Sequence, residues 1–69
     1  MEGSIAVNLR ELRRRSAYSQ AELAARAGVQ QVTVARIERG QVKPHGRTIR
    51  KLAKALGVEP RRLLDSPDG

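Results

Sequence analysis

Residues 19–40, SQAELAARAGVQQVTVARIERG, confine this part of the chain to a helix, a tight turn and a second helix. Ser19 followed three residues later by Glu22 is a capping box: the serine hydroxyl accepts from the Glu22 amide, and the carboxylate accepts from the Ser19 amide. A helix is therefore predicted to start at Gln20. Tyr18, just before the cap, and Leu23, four positions into the helix, have the spacing of a hydrophobic staple. Gly28 follows Leu23, Ala24 and Ala27, where a residue free to take positive φ ends the helix. Val29 and Gln30 then lead into a second periodic run that stops at Gly40, giving two short helices joined by a glycine-containing turn.

The flanking sequence extends the same pattern. Ile5, Leu9 and Leu12 share one helical face at i, i+4 and i+7, so a first helix is predicted over 5–15 with Ser4 as its cap. The helix after the Gly28 turn is predicted over 31–39. Pro44 and Gly46 lie in the following loop and resist helix continuation. Ile49, Leu52, Ala53 and Leu56 recur at i, i+3, i+4 and i+7 before Gly57, which marks a fourth helix. Pro60 suits the first position of a short fifth helix carrying Leu63 and Leu64. There is no β-rich run, internal repeat or low-complexity block. The expectation is an all-α fold: one compact five-helix domain over residues 5–64, with short flexible tails at 1–4 and 65–69.

Sixty-nine residues lie near the lower size at which an apolar core stands without staples, and with no cysteine no disulfide assists. Absence of cysteine fits a reducing cytosol. No apolar run approaches the roughly eighteen residues needed to span a bilayer, and the first residues, MEGSIAVNL, do not read as a secretory leader. A cytoplasmic protein with no membrane association is expected.

Fourteen basic residues against seven acidic give a formal net charge of +7. For so small a domain that is a strong positive field, and a polyanion is the expected partner. Eleven of the fourteen are arginine, whose planar fork suits phosphate and guanine edges. A basic surface that merely aids solubility is the competing reading. Tyr18 is the sole aromatic residue, so no platform exists for stacking unpaired bases, and double-stranded DNA is favoured over single strands.

Three blocks in order, SQAELA at 19–24, RIERG at 36–40 and IRKLAKALGVEPRRLL at 49–64, resemble the helix-turn-helix proteins of the Cro and phage-repressor type, the XRE family. The similarity extends over roughly residues 5–64. It implies a lambda-repressor-like five-helix fold. It also implies a transcription regulator, a repressor above all, that lays the helix after the turn in the major groove.

At about 100° per residue, Gln31, Val32, Ala35, Arg36 and Arg39 fall within one arc of that helix, while Val34 and Ile37 lie on the other side. An outward arc is by itself an ordinary solvated face. The resemblance makes it the candidate reading surface. Gln31 suits adenine N6 and N7, Arg36 suits guanine O6 and N7, and Val32 or Ala35 suits a thymine methyl. Gln30, at the helix start, reads as a cap or a phosphate contact. By the resemblance, Gln20 at the start of helix two and Arg39, Lys43 and Arg47 around the exit of helix three are further candidate phosphate contacts, with Arg14 and Arg15 farther out. Arg13 and Glu38 match positions of a structural ion pair between helices one and three.

Catalysis and metal chemistry find no support in the sequence. Ser19 lacks a histidine or carboxylate partner, and His45, the only histidine, has no companion ligands, so no catalytic residue, metal or cofactor is assigned. The resemblance implies a homodimer, at least on DNA, with Leu63 and Leu64 as the apolar contact and at least one of them also needed in the core. An antitoxin-like or bridging-factor-like module that uses the same fold to grip a protein partner is the alternative.

Overall fold

A computed structural model describes residues 4–65 of the chain. Five helices follow one another: α1 (Ile5–Arg15), α2 (Gln20–Ala27), α3 (Gln31–Glu38), α4 (Gly46–Leu56) and α5 (Arg61–Leu64). Of the expected tails, residues 1–3 and 66–69 lie outside the described residues. Ser4 and Asp65 belong to the domain: Ser4 is the N-cap of α1, and the Asp65 carbonyl accepts a hydrogen bond from Asn8.

Local chemistry sets the helix ends. In the box that opens α2, the Glu22 amide donates to Ser19 Oγ at 3.0 Å and the Ser19 amide donates to Glu22 Oε1 at 2.8 Å. Gly28 closes α2 with φ 72°, and the Val29 amide returns to the Ala24 carbonyl at 3.0 Å, which satisfies an otherwise free helix-end acceptor. Three boundaries move by a residue from the sequence expectation. Gly46, expected in the loop, is the first residue of α4, with His45 as its N-cap. α3 stops at Glu38 with Arg39 as its C-cap, and α5 begins at Arg61 with Pro60 as the residue before it.

At eight residues each, α2 and α3 are too short to persist alone, since isolated helices below about 12 to 15 residues are marginal in water. Packing supplies the difference. Leu9, Leu23, Val34, Ile37, Leu52 and Leu63 are fully buried, so every helix commits at least one aliphatic side chain to a single core. Ala24 and Ala27 of α2 and Ala53 of α4 are buried as well, and their small size lets these two helices approach closely.

The short α5 is held by a polar device on the apolar face of α1. Asn8 is buried, and its Nδ2 donates to the carbonyls of Leu63 at 2.8 Å and Asp65 at 2.7 Å. A four-residue helix cannot satisfy its own last carbonyls, so Asn8 does it from outside. At the other end of α1, Ala17 takes φ 58°, a left-handed conformation disfavoured for a residue with a Cβ, as the chain turns into α2.

Asn8→Ala removes both donors and leaves the Leu63 carbonyl buried without a partner. Destabilisation of about 1–3 kcal/mol is expected. The check is chemical denaturation of the variant beside Asn8→Asp, which keeps the size but offers no amide donor and is expected to fail equally.

Candidate nucleic-acid interface

The position of α3 rests on a polar cluster built around Glu38. Arg13 of α1 grips the carboxylate with two bonds, Nε to Oε2 at 2.6 Å and Nη2 to Oε1 at 2.9 Å, and its Nη1 donates to the Tyr18 carbonyl at 2.9 Å. Gln20 Nε2 donates to the same Glu38 Oε1 at 3.1 Å. Arg10 adds a longer bond, 3.4 Å, to the Glu38 backbone carbonyl. One carboxylate thus joins α1, the α1–α2 corner, the first residue of α2 and the last residue of α3.

Glu38 is only 7% exposed. Burial alone pushes its carboxyl pKa up. The hydrogen bonds from Arg13 and Gln20, with the charges of Arg13 and Arg10, outweigh that and hold it below its ordinary value. The bond to Glu38 in turn raises the Arg13 pKa, so both members of the pair stay ionised.

With Val34 and Ile37 fully buried and Glu38 fixed, the rest of α3 is presented outward. Gln31, Val32, Arg36 and Arg39 are exposed, Val32 to 44%, and Ala35 is half-buried beside them. The backbone of Gln30 caps α3, but no side chain accepts from the first-turn amides. The same holds for His45 at the start of α4. At α3 the Thr33 amide turns back onto the Gln30 carbonyl at 3.0 Å, and the remaining first-turn N–H groups of α3 and α4 have no side-chain acceptor from their caps. Lys43, in the loop between α3 and α4, and Arg47, in the first turn of α4, are exposed. Gln20 is half-buried with one N–H of its amide committed to Glu38.

Several contacts here have no local trace in the sequence: the Gln20 bond to Glu38, the Arg10 bond to the Glu38 carbonyl, and the stacking of the Arg26 guanidinium over the Tyr18 ring at 4.7 Å. Tyr18 is half-buried against the core that holds Leu23, so its ring is occupied on both counts. Lys43 borders a groove of about 510 Å³ whose apolar lining includes Ile5, Val42, Pro44, Ile49 and Leu64. Leu63 is fully buried, whereas Leu64 is 54% exposed, so of the two adjacent leucines only Leu64 is available to a partner. Among the described residues no helix is long and apolar enough to cross a membrane, and no group of three acidic, histidine or cysteine side chains is placed to hold a metal ion.

Residues 9–63 match the family described as Helix-turn-helix. Helix-turn-helix-type transcriptional regulators of Mycobacterium bovis and Mycobacterium tuberculosis are 40% identical over 63 residues, which is 87% of this chain and 25% of theirs. The chain thus spans about a quarter of the length of these curated relatives. Among solved structures, a hypothetical transcription factor from Neisseria superposes with a TM-score of 0.91 at 35% identity, covering 96% of this chain and 76% of that one. The P22 c2 repressor, solved in complex with a synthetic operator, superposes with a TM-score of 0.82 at 31% identity over 88% of this chain and 92% of that one.

Removing Arg13 strands a buried carboxylate, for which a cost of about 3–5 kcal/mol is expected. Arg14 is exposed and makes no ion pair among the described residues, so Arg13→Met should lower the melting temperature far more than Arg14→Met. The dependence on pH has a definite sign. Because the folded-state pKa of Glu38 is depressed, the pair's contribution is complete above the ordinary carboxylate range and is lost as pH falls through the folded value. Acid denaturation curves should therefore show the gap between the native protein and Arg13→Met closing as the pH is lowered.

Proposed function

The chain belongs to the helix-turn-helix family, and from that premise we propose that it is a sequence-specific regulator of transcription that binds double-stranded DNA as a repressor in the cytoplasm. The matched family is that of helix-turn-helix proteins, and the fold is shared with a repressor solved on its operator, which supports a DNA-binding regulator. The observation that carries the proposal is the division of α3. Val34 and Ile37 are fully buried and Glu38 is clamped, while Gln31, Val32 and Arg36 stand bare on one arc.

In this reading α3 enters the major groove. Gln31 reads adenine, Arg36 reads guanine, and Val32 and Ala35 lie against thymine methyl groups. Gln20, Gln30, Arg39, Lys43 and Arg47 hold phosphates and fix the register of α3 without reading sequence. The first-turn amides of α3 and α4 that no cap side chain accepts from support this, because they aim partial positive charge outward. Operator binding by the P22 c2 repressor, at 31% identity over nearly all of that chain, supports it further.

A second copy completes the binding unit, and two domains then read half-sites about one helical turn apart. The surface that suits this contact is the groove lined by Val42, Pro44 and Leu64, with Leu64 exposed and Val42 40% exposed. Blocking a promoter by occupying it follows from such a complex.

Selection of bound sites from a random duplex pool tests the reading. Gln31→Ala and Arg36→Ala leave the core intact, so folding should survive while preference at individual base pairs relaxes by about 1–3 kcal/mol. Lys43→Ala should weaken every sequence about equally, as for a phosphate contact. If both α3 variants select the same sequence as the native protein, α3 is not the reader, and a protein-gripping role for the same fold takes precedence.

A further inference from the structure

The outer arc of α4 carries more positive charge than the proposed site uses. At about 100° per residue, Arg47, Arg50, Lys51 and Lys54 fall within roughly 100° of one another, directly opposite Leu52, Ala53 and Leu56. All four are exposed. They stand at i, i+3, i+4 and i+7, so each faces two like charges along the helix, an arrangement that destabilises it. Among the described residues no carboxylate pairs with them: α4 contains none, and the ion pairs join Arg13 to Glu38 and Arg61 to Glu59. Such a surface is relieved when an anion binds to it.

Two open grooves border the stripe. At the N-terminal end of α4, His45, Gly46, Arg47, Thr48 and Arg50 line a groove of about 580 Å³. At the far end, Lys51 and Lys54 face Arg26 of α2 across a groove of about 650 Å³. Arg26 is already engaged with the Tyr18 ring and bears on the Glu22 carboxylate, so the free charge there belongs to the lysines. From Arg47 to Lys54 the stripe runs about 10.5 Å at a rise of about 1.5 Å per residue. One strand of duplex presents a phosphate about every 3.4 Å along the axis, so a stripe lying along that axis spans about three phosphate steps.

We propose that Arg50, Lys51 and Lys54 form a second contact surface for duplex DNA, which takes the sugar-phosphate backbone flanking the recognition site as the duplex bends onto the side of the domain. This rests on the reading of α3 as the recognition helix and extends it. Its basis is continuity: the stripe begins at Arg47, beside the start of α4 where no cap side chain accepts from the first-turn amides, and leads away along α4 without a break in sign. The contact carries no base information. It adds affinity and makes binding sensitive to how easily the flank bends, with flexible TA and CA steps favoured.

The experiment uses the full chain and one selected site in two duplexes, trimmed to the protected base pairs or extended by about one helical turn on each side. Native protein is expected to bind the extended duplex on the order of tenfold more tightly at low salt, with a steeper salt dependence. In the triple variant Arg50→Gln, Lys51→Gln, Lys54→Gln, the gain from flanks disappears and the salt slope on the extended duplex falls by about 2.7, at about 0.9 per phosphate lost. Affinity for the trimmed duplex stays the same. Lys51→Arg with Lys54→Arg keeps the gain. The triple variant should melt no lower than the native protein, since like-charge repulsion along α4 is relieved, so loss of fold is separable from loss of contact. If native protein binds both duplexes equally, or the triple variant keeps the flank gain, the α4 surface does not contact flanking DNA. Failure to bind the trimmed site specifically would instead overturn the proposed function itself. Capture of polyglutamate by the same lysines, with no flank effect on DNA, would assign the stripe to an acidic protein partner and also overturn the proposal.

Discussion

The two parallel bonds between Arg13 and Glu38 are the constraint on which the rest of the molecule depends. An aliphatic core is indifferent to small rotations of a helix about its axis, because apolar contact has no direction. A bidentate guanidinium–carboxylate pair is directional, and here it reaches across 25 positions of sequence. It sets the rotation of α3 relative to α1. Through the Tyr18 carbonyl it also sets the corner between α1 and α2, and through Gln20 the starting point of α2. Buried pairs are expensive to desolvate, and an apolar substitute of the same shape is often as stable. What such a substitute lacks is the common acceptor that holds three segments at once.

That placement decides how α3 is shared between fold and surface. Positions 34, 37 and 38 face inward, and positions 31, 32 and 36 are left outside on a backbone already fixed. A surface held in place before its partner arrives loses little conformational freedom on association. The abundance of cations elsewhere works against the fold: a chain of 69 residues with net charge +7 repels itself, and α4 concentrates that repulsion on one arc.

How much of this the sequence discloses follows the range of each interaction. The capping box at Ser19, the left-handed glycine at 28 and the aliphatic spacing of α1 and α4 are all settled within a few residues, so the five helices and their order are legible. Asn8 is not. It sits among Ile5, Leu9 and Leu12 and looks like an interruption of an apolar face, because its acceptors lie 55 and 57 residues away. Leu63 and Leu64 are chemically identical neighbours, and only the packing of α5 assigns one to the core and the other to the surface. The resemblance implies a phosphate contact for Gln20, and nothing local in the sequence discloses that one of its side-chain N–H groups is turned onto Glu38.

The occupied position of Tyr18 has an optical consequence. The chain has no tryptophan and no phenylalanine, so Tyr18 is its only source of near-ultraviolet aromatic signal. Its carbonyl is bound by Arg13, its ring lies under Arg26, and its edge packs against the core. Emission and near-ultraviolet dichroism therefore report a single corner of the molecule, the one where the ion pair, the core and the entry to α2 meet. A spectroscopic titration needs no added label to tell whether that corner has opened.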